Sequence, residues 1–176
     1  MALCLRELSR VDLSDITRWR NQPEAVGQLG SPFRYIDGEV DTAWFNSYIS
    51  NRASNVRLAV CDAESAELLG LIYLLNIEWL SRHAELSIWI PEVRHRGRGV
   101  GSFAMLGMLR HAFHDLNLHR VWLRVLARND AAIALYRKFH FRQEGVHRDA
   151  VFKDGSYQDM LQMAILAPEF SVPGAG

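Results

Sequence analysis

The chain has 176 residues, 49% hydrophobic and 23% charged, with 20 Lys+Arg balanced by 20 Asp+Glu. That length suits one domain with a full core, and zero formal charge argues against a protein built to coat nucleic acid or an anionic membrane. Two cysteines, Cys4 and Cys61, lack metal-ligand spacing, no run approaches the ~20 apolar residues of a membrane span, and the start lacks a signal peptide's apolar core, so free thiols and a cytoplasmic location are expected.

Leu3–Leu8 alternates like a short strand. Asp12 and Ser14 are helix-start residues, and the helix they open should run to Asn21 and end at Pro23. Residues 24–37, with Gly27, Gly30 and Pro32, read as an irregular excursion before a helix over Asp41–Ser50 that sets Trp44, Phe45, Tyr48 and Ile49 on one face. Val56–Cys61 and Leu68–Asn76 form a hairpin around a polar turn, and Ala84–Ile90 is a fourth strand ending at Pro91. A long helix is expected over Val100–Asn117, a fifth strand over Arg120–Leu126 and a short helix over Asp130–Phe139. Phe141–Phe152 and Tyr157–Leu166 close the chain as strands, and 168–176 reads as a fraying tail. Strand, helix and strand from 84 to 126 make a parallel crossover between antiparallel hairpins. The expected fold is a mixed, twisted α/β sheet in one domain, 1–167.

Arg94-His-Arg-Gly-Arg-Gly-Val-Gly101 lies between the fourth strand and the long helix. A glycine-rich turn that opens a helix aims several backbone N–H groups and the positive end of the helix dipole at one spot, which is an anion site suited to a pyrophosphate. Glu85 alternates with Ser87 and Trp89, away from the aliphatic row Leu86, Ile88 and Ile90. Asn129 and Tyr136 are seven residues apart, so they share a stripe of the short helix.

Arg96-Gly-Arg-Gly-Val-Gly101 resembles the coenzyme-binding signature of the GNAT acetyltransferases. Asn129-Asp-Ala-Ala-Ile-Ala-Leu-Tyr-Arg-Lys-Phe-His-Phe141 is similar to that family's second element, in the same order, and the resemblance runs from about Leu3 to Leu166. It implies a mostly antiparallel sheet with a central splayed parallel pair, and transfer of an acetyl group from acetyl-CoA to an amine. It also implies coenzyme contacts along the backbone of Ile88, Trp89 and Ile90, over Arg96, Gly97, Arg98, Gly99, Val100, Gly101 and Ser102, and at Asn129 and Tyr136. Tyr136 takes the position of the family's general acid. Glu85 matches an acidic fourth-strand residue that serves some branches as base. The fifth strand, Val121-Trp-Leu-Arg-Val-Leu126, offers Arg124 where other branches carry a base, and arginine cannot accept the proton. His140 stands where the family has glycine, in a left-handed position that histidine tolerates at modest cost.

Each residue also has a plainer reading. Tyr136 can be core packing, and Glu85 can be the partner of Arg82 or another base. His111 and His114 are one turn apart without a third ligand, so no metal is expected. One basic turn in a neutral chain supports neither RNA nor DNA binding. The resemblance implies an acceptor pocket between roughly Trp19–Ser50 and Phe141–Tyr157; for the acceptor itself, a small-molecule or sugar-nucleotide amine and a protein N-terminal amine rank level, with a polyamine behind. Asp37, Glu39 and Asp41 are the one acidic cluster for a polycation, and a solvated helix start explains them equally. A non-catalytic acyl-CoA-binding module is the alternative to an enzyme, and the oligomeric state, a homodimer included, is left open.

Overall fold

A computed structural model describes residues 2–171. Seven strands form one sheet: β1 (Leu3–Glu7), β2 (Val56–Asp62), β3 (Leu68–Glu78), β4 (His83–Trp89), β5 (Arg120–Leu126), β6 (Arg142–Lys153) and β7 (Ser156–Leu166). Their order is β1-β2-β3-β4-β5-β7-β6. Neighbours are antiparallel except β4 and β5, which are parallel because a helix carries the chain across the sheet between them.

That parallel pair is short. It is in register only at His83↔Arg120, Ala84↔Val121 and Glu85↔Trp122. Beyond Glu85 the strands part, β4 staying with β3 as far as Trp89 and β5 with β7 as far as Leu126. One edge of β4 therefore faces a gap in the sheet. The mostly antiparallel sheet with a splayed central pair is borne out.

Helices α1 (Leu13–Arg20), α2 (Pro23–Val26) and α3 (Gly38–Ser50) cover one face. There Ile16, Trp19, Phe45 and Tyr48 bury against Ala59, Cys61 and Leu71. Helices α4 (Val100–Arg110) and α5 (Asp130–Lys138) cover the other, where Met105, Met108, Leu109 and Ile133 pack on Leu86, Val121 and Leu123. Each such large apolar side chain contributes about 1.5–3 kcal/mol on burial, and together they hold both walls of the gap in place.

Several local expectations change. Within the excursion, Pro23 opens the one-turn helix α2, since proline at the first helical position lacks only an N–H that would go unpaired anyway. Helix α3 starts at Gly38 because Asp37 accepts from the Glu39 and Val40 amides at 3.0 Å each. Its packed face carries Asp41 rather than Ile49, which is exposed. Asp41 is fully buried and accepts from Thr17 Oγ1 at 2.6 Å and from Arg20. Asp41 is thus neither solvated nor free for a polycation, whereas Asp37 and Glu39 are exposed at the helix start. The long helix keeps α geometry only to Arg110; His111–Asp115 form a π turn, with Leu116 N–H bonded to His111 O, which swings the chain back towards β5. His140 has φ +66°, the left-handed position expected of it. Of the tail, Ala167–Glu169 form a 3₁₀ turn and Phe170 packs on Phe113, while 172–176 lie outside the described residues.

A partly exposed charge network joins α1 to the segment that follows β4. Glu92 accepts from Trp19 Nε1 at 3.1 Å, Arg18 Nη2 at 3.3 Å and Arg94 Nε at 2.6 Å. Burial pushes its carboxyl up, but Trp19, Arg94 and Arg18 outweigh that and draw it down to about 2. The folded carboxyl thus ionises below a free glutamate at about 4.3, so the network stabilises fully above that pH and its contribution fades as pH falls towards 2. Thermal melts of wild type and Glu92→Gln are expected to differ most at neutral pH and to converge in acid. A gap that stays constant into strong acid would contradict the network's charge.

Candidate active site

Helix α4 begins behind a turn in which Gly97 (φ +72°) and Gly99 (φ +84°) are left-handed. A Cβ at either would meet nothing within 4 Å, so backbone conformation rather than crowding demands glycine. The first bond into the helix runs from Phe103 N–H to Gly99 O at 2.9 Å. Among the described residues, the amides of 97–102 have no backbone acceptor. Six free donors at the positive end of an 11-residue helix make an anion cradle.

Two cations sit beside it. Arg96 donates from Nε to Ile90 O at 2.9 Å and from Nη2 to Pro91 O at 2.8 Å, which pins the end of β4 to the glycine turn. Lys138, from α5, reaches Ser102 Oγ at 3.2 Å. The lysine belongs to the second sequence element, but only the packing of α5 on α4 reveals its place.

The cradle opens into a cleft of about 1250 Å³ that follows the gap between β4 and β5. Of the residues singled out from sequence, Glu85, Ile88, Trp89, Ile90, Arg96, Gly97, Gly99, Gly101, Ser102, Asn129 and Tyr136 line it. Arg98 and Val100 do not. The Val100 side chain is buried in the α4 core, which leaves its amide alone to the cradle, and Arg98 is exposed away from the cleft.

Tyr136 is 6% exposed, on the buried stripe of α5, with its ring 5.9 Å from Phe141. Burial alone pushes its phenol above the ordinary value, so the hydroxyl stays protonated at neutral pH. It is core packing and cleft wall at once. Asn129 caps α5 by accepting from Ala132 N–H at 3.2 Å, and its amide donates to Gln28 O at 3.3 Å. That second contact ties the 28–31 wall of the cleft to α5.

Glu85 projects on the opposite face of the sheet. Trp89, in phase with it along β4, donates to Ala25 O at 2.9 Å and meets Trp19 edge-on at 5.9 Å, so this face is the one under α1 and α2. The partner of Glu85 is Arg124, whose Nη2 lies 3.2 Å from Oε1. Arg82, the sequence candidate, instead approaches Asn117. Sequence reasoning missed Arg128 and Met160, and Gln28–Ser31 and Val151, from the stretches 19–50 and 141–157 that the resemblance marks for the acceptor, also line the cleft. Lys153 is buried behind them, donating to Val26 O at 3.0 Å and Ser31 O at 2.9 Å.

The gap therefore joins two chemistries through the sheet. An anion cradle and a protonated phenol lie on the α4–α5 face, and a carboxylate lies on the other. A family model described as the acetyltransferase (GNAT) domain matches residues 2–142. The chain belongs to the GNAT acetyltransferase family. It is an acetyl-CoA-dependent N-acetyltransferase. Among its relatives is the spermidine N(1)-acetyltransferase of Vibrio cholerae, 34% identical over 96% of this chain and 95% of that one. The Escherichia coli spermidine N(1)-acetyltransferase is 31% identical over 94% and 87%. A ribosomal-protein-serine acetyltransferase of E. coli is 29% identical, but over 53% of the chain. The crystal structure of the V. cholerae enzyme in complex with CoA and spermine superposes with a TM-score of 0.87, at 30% identity, covering 95% of this GNAT chain and 96% of the other.

This GNAT chain fits the coenzyme on its own geometry. The free amides of 97–102 and the open space at Gly97 and Gly99 accommodate a diphosphate, and the unpaired edge of β4 offers backbone groups to an extended amide chain. Among the described residues no helix is long and apolar enough to cross a membrane.

Proposed function

We propose that this acetyltransferase acts on a primary amine of a small acceptor, and that polyamines are the acceptor class with most support. The observation that carries the reading is the sheet gap, with Tyr136 and the cradle on one side of β4 and Glu85 on the other. Sequence alone ranked polyamines behind sugar-nucleotide and protein N-terminal amines. The spermidine acetyltransferases match over nearly the whole chain and the ribosomal-protein enzyme over about half, which reverses that order.

The roles follow from position. The amides of Gly97–Ser102, with Arg96 and Lys138 beside them, hold the diphosphate of acetyl-CoA. When bound, acetyl-CoA supplies the activated acetyl group. The edge of β4 from Ile88 to Ile90 aligns the coenzyme's arm along the gap. An alkylamine enters protonated, with a pKa near ~10, and Glu85 draws it in and takes its proton, directly or through a water. The Tyr136 hydroxyl, which stays protonated at neutral pH, donates a proton to the leaving sulfur. Asn129 and Lys153 position the 26–31 wall rather than touch the reacting atoms. The working unit is residues 1–167, with the last residues as a tail. Self-association belongs to the reading too, since a structure of the V. cholerae relative is described as dodecameric.

An acceptor panel tests this reading. Spermidine, spermine, a nucleotide-linked amino sugar and a peptide with a free N-terminus are each supplied with labelled acetyl-CoA. The expected result is a kcat/KM for spermidine at least roughly tenfold above that for the peptide, a discrimination of about 1.4 kcal/mol. Preference for the peptide overturns the polyamine reading, and no acetylation of any amine despite coenzyme binding favours a non-catalytic module.

A further inference from the structure

His95 belongs to the stretch that forms the cradle but contributes nothing to its free amides. It ends the 3₁₀ turn Val93–His95, its own N–H bonded to Glu92 O at 3.0 Å, two residues before Gly97. Among the described residues it is the one histidine that lines the cleft. It is 6% exposed, and neither ring nitrogen has a hydrogen-bond partner. A buried polar group left unpaired costs free energy, and native structures keep few without a use.

The surroundings of the ring indicate that use. Nε2 lies 3.6 Å from Glu67 Oε1, just before β3, and 3.9 Å from Glu92 Oε2. Arg94 already donates to both of those oxygens, at 2.6 Å each. Arg18 of α1, shared with Asp15, takes the other oxygen of Glu92, and Arg96 follows on the cradle side. The two carboxylates are thus occupied, and the ring stands beyond hydrogen-bonding distance of either. The coenzyme changes this balance. Its diphosphate brings two negative charges to amides that begin two residues beyond the ring, in a cleft that screens less than open water. An imidazolium there is attracted to the diphosphate, and a shift of under about 1 Å lets its Nε2–H reach Glu67.

We infer that His95 takes up a proton from solvent as acetyl-CoA binds, and so couples coenzyme affinity to pH. The inference rests on the reading that places the diphosphate over Gly97–Ser102, and it is independent of the acceptor. The proton adds to a ring nitrogen, and no bond to the coenzyme forms or breaks. The sign follows from the charges. Affinity is highest in acid, where the ring is protonated with or without coenzyme. It falls as pH rises and levels off where the ring is neutral in both states.

The test measures binding of acetyl-CoA that lacks its 3′-phosphate, because that monoester itself titrates near pH ~6. Titration calorimetry from about pH 5.5 to about pH 8, in buffers of different ionisation enthalpy, gives both Kd and protons taken up. Wild type is expected to take up a fraction of a proton within that range and to bind about fivefold more tightly at its acid end. His95→Asn keeps a polar side chain that does not titrate, and its Kd should stay within about twofold at every pH. A merely structural role changes Kd by the same factor throughout. No proton uptake by wild type, or a pH dependence that survives in His95→Asn, overturns the inference. If His95→Asn does not fold, Glu67→Gln takes its place. Loss of the nearer carboxylate should move the uptake to lower pH by about half a pH unit, and an unmoved profile overturns the inference. Normal coenzyme binding in Gly99→Glu overturns the cradle reading and this inference together. Binding lost in that variant beside a pH-independent wild type overturns this inference alone.

Discussion

Replacing Gly99 by glutamate abolishes coenzyme binding while the fold survives. The φ of +84° costs a non-glycine residue about 1–2 kcal/mol, and a Cβ meets no atom within 4 Å, so the chain can still close this turn. The larger effect is electrostatic, since the new carboxylate stands at the mouth of six free amides where the diphosphate must lie. Gly99→Ala isolates the backbone cost. Thermal unfolding with and without acetyl-CoA separates the two variants. At 100 times its dissociation constant the ligand adds about 2.7 kcal/mol to wild type. Gly99→Ala is expected to keep most of that shift at higher coenzyme concentration, and Gly99→Glu to show none at any accessible concentration. A normal shift in Gly99→Glu would place the coenzyme elsewhere.

Tyr136→Phe has the second large expected effect, on rate rather than binding. The substitution keeps the ring that packs near Phe141 and removes only a hydroxyl for which burial is the single perturbing influence. Stability should change by less than about 1.5 kcal/mol. Loss of a positioned general acid typically costs 10²–10⁴ in rate, so kcat should fall by about that factor with coenzyme affinity unchanged. Because the phenol is held above its ordinary value, the tyrosine of wild type stays a donor through neutral and mildly alkaline pH. The variant's rate deficit should therefore be constant over that range. An unchanged kcat assigns Tyr136 to packing alone.

The parts of the site that are local in sequence were legible there. The glycine turn declares itself because left-handed φ at Gly97 and Gly99 needs glycine, and the helix it opens carries a regular apolar stripe. The crossover 84–126 fixes a parallel pair because a helix intervenes. The alternation of Glu85 with Trp89 also gave the correct face. What sequence did not disclose depends on which distant segments meet. Arg124, dismissed as a base, proved to be the ion-pair partner of Glu85, and Arg82 turned towards Asn117. Which residues of the 19–50 stretch form the cleft wall was not legible, because Gln28–Ser31 are held there by Asn129 and by Lys153, more than a hundred residues away. Asp41 read equally as a ligand for a polycation or as a solvated acid, and instead Arg20 and Thr17 enclose it. The π turn likewise hides inside an apolar stripe that suits an ordinary helix.

A crystal structure with acetyl-CoA bound tests the central claim most directly. The account predicts the diphosphate within hydrogen-bonding distance of the Gly97–Ser102 amides, the pantetheine arm along Ile88–Ile90, and the sulfur within reach of the Tyr136 hydroxyl. A coenzyme bound outside the gap between β4 and β5, with those amides making no contact to it, would contradict the account.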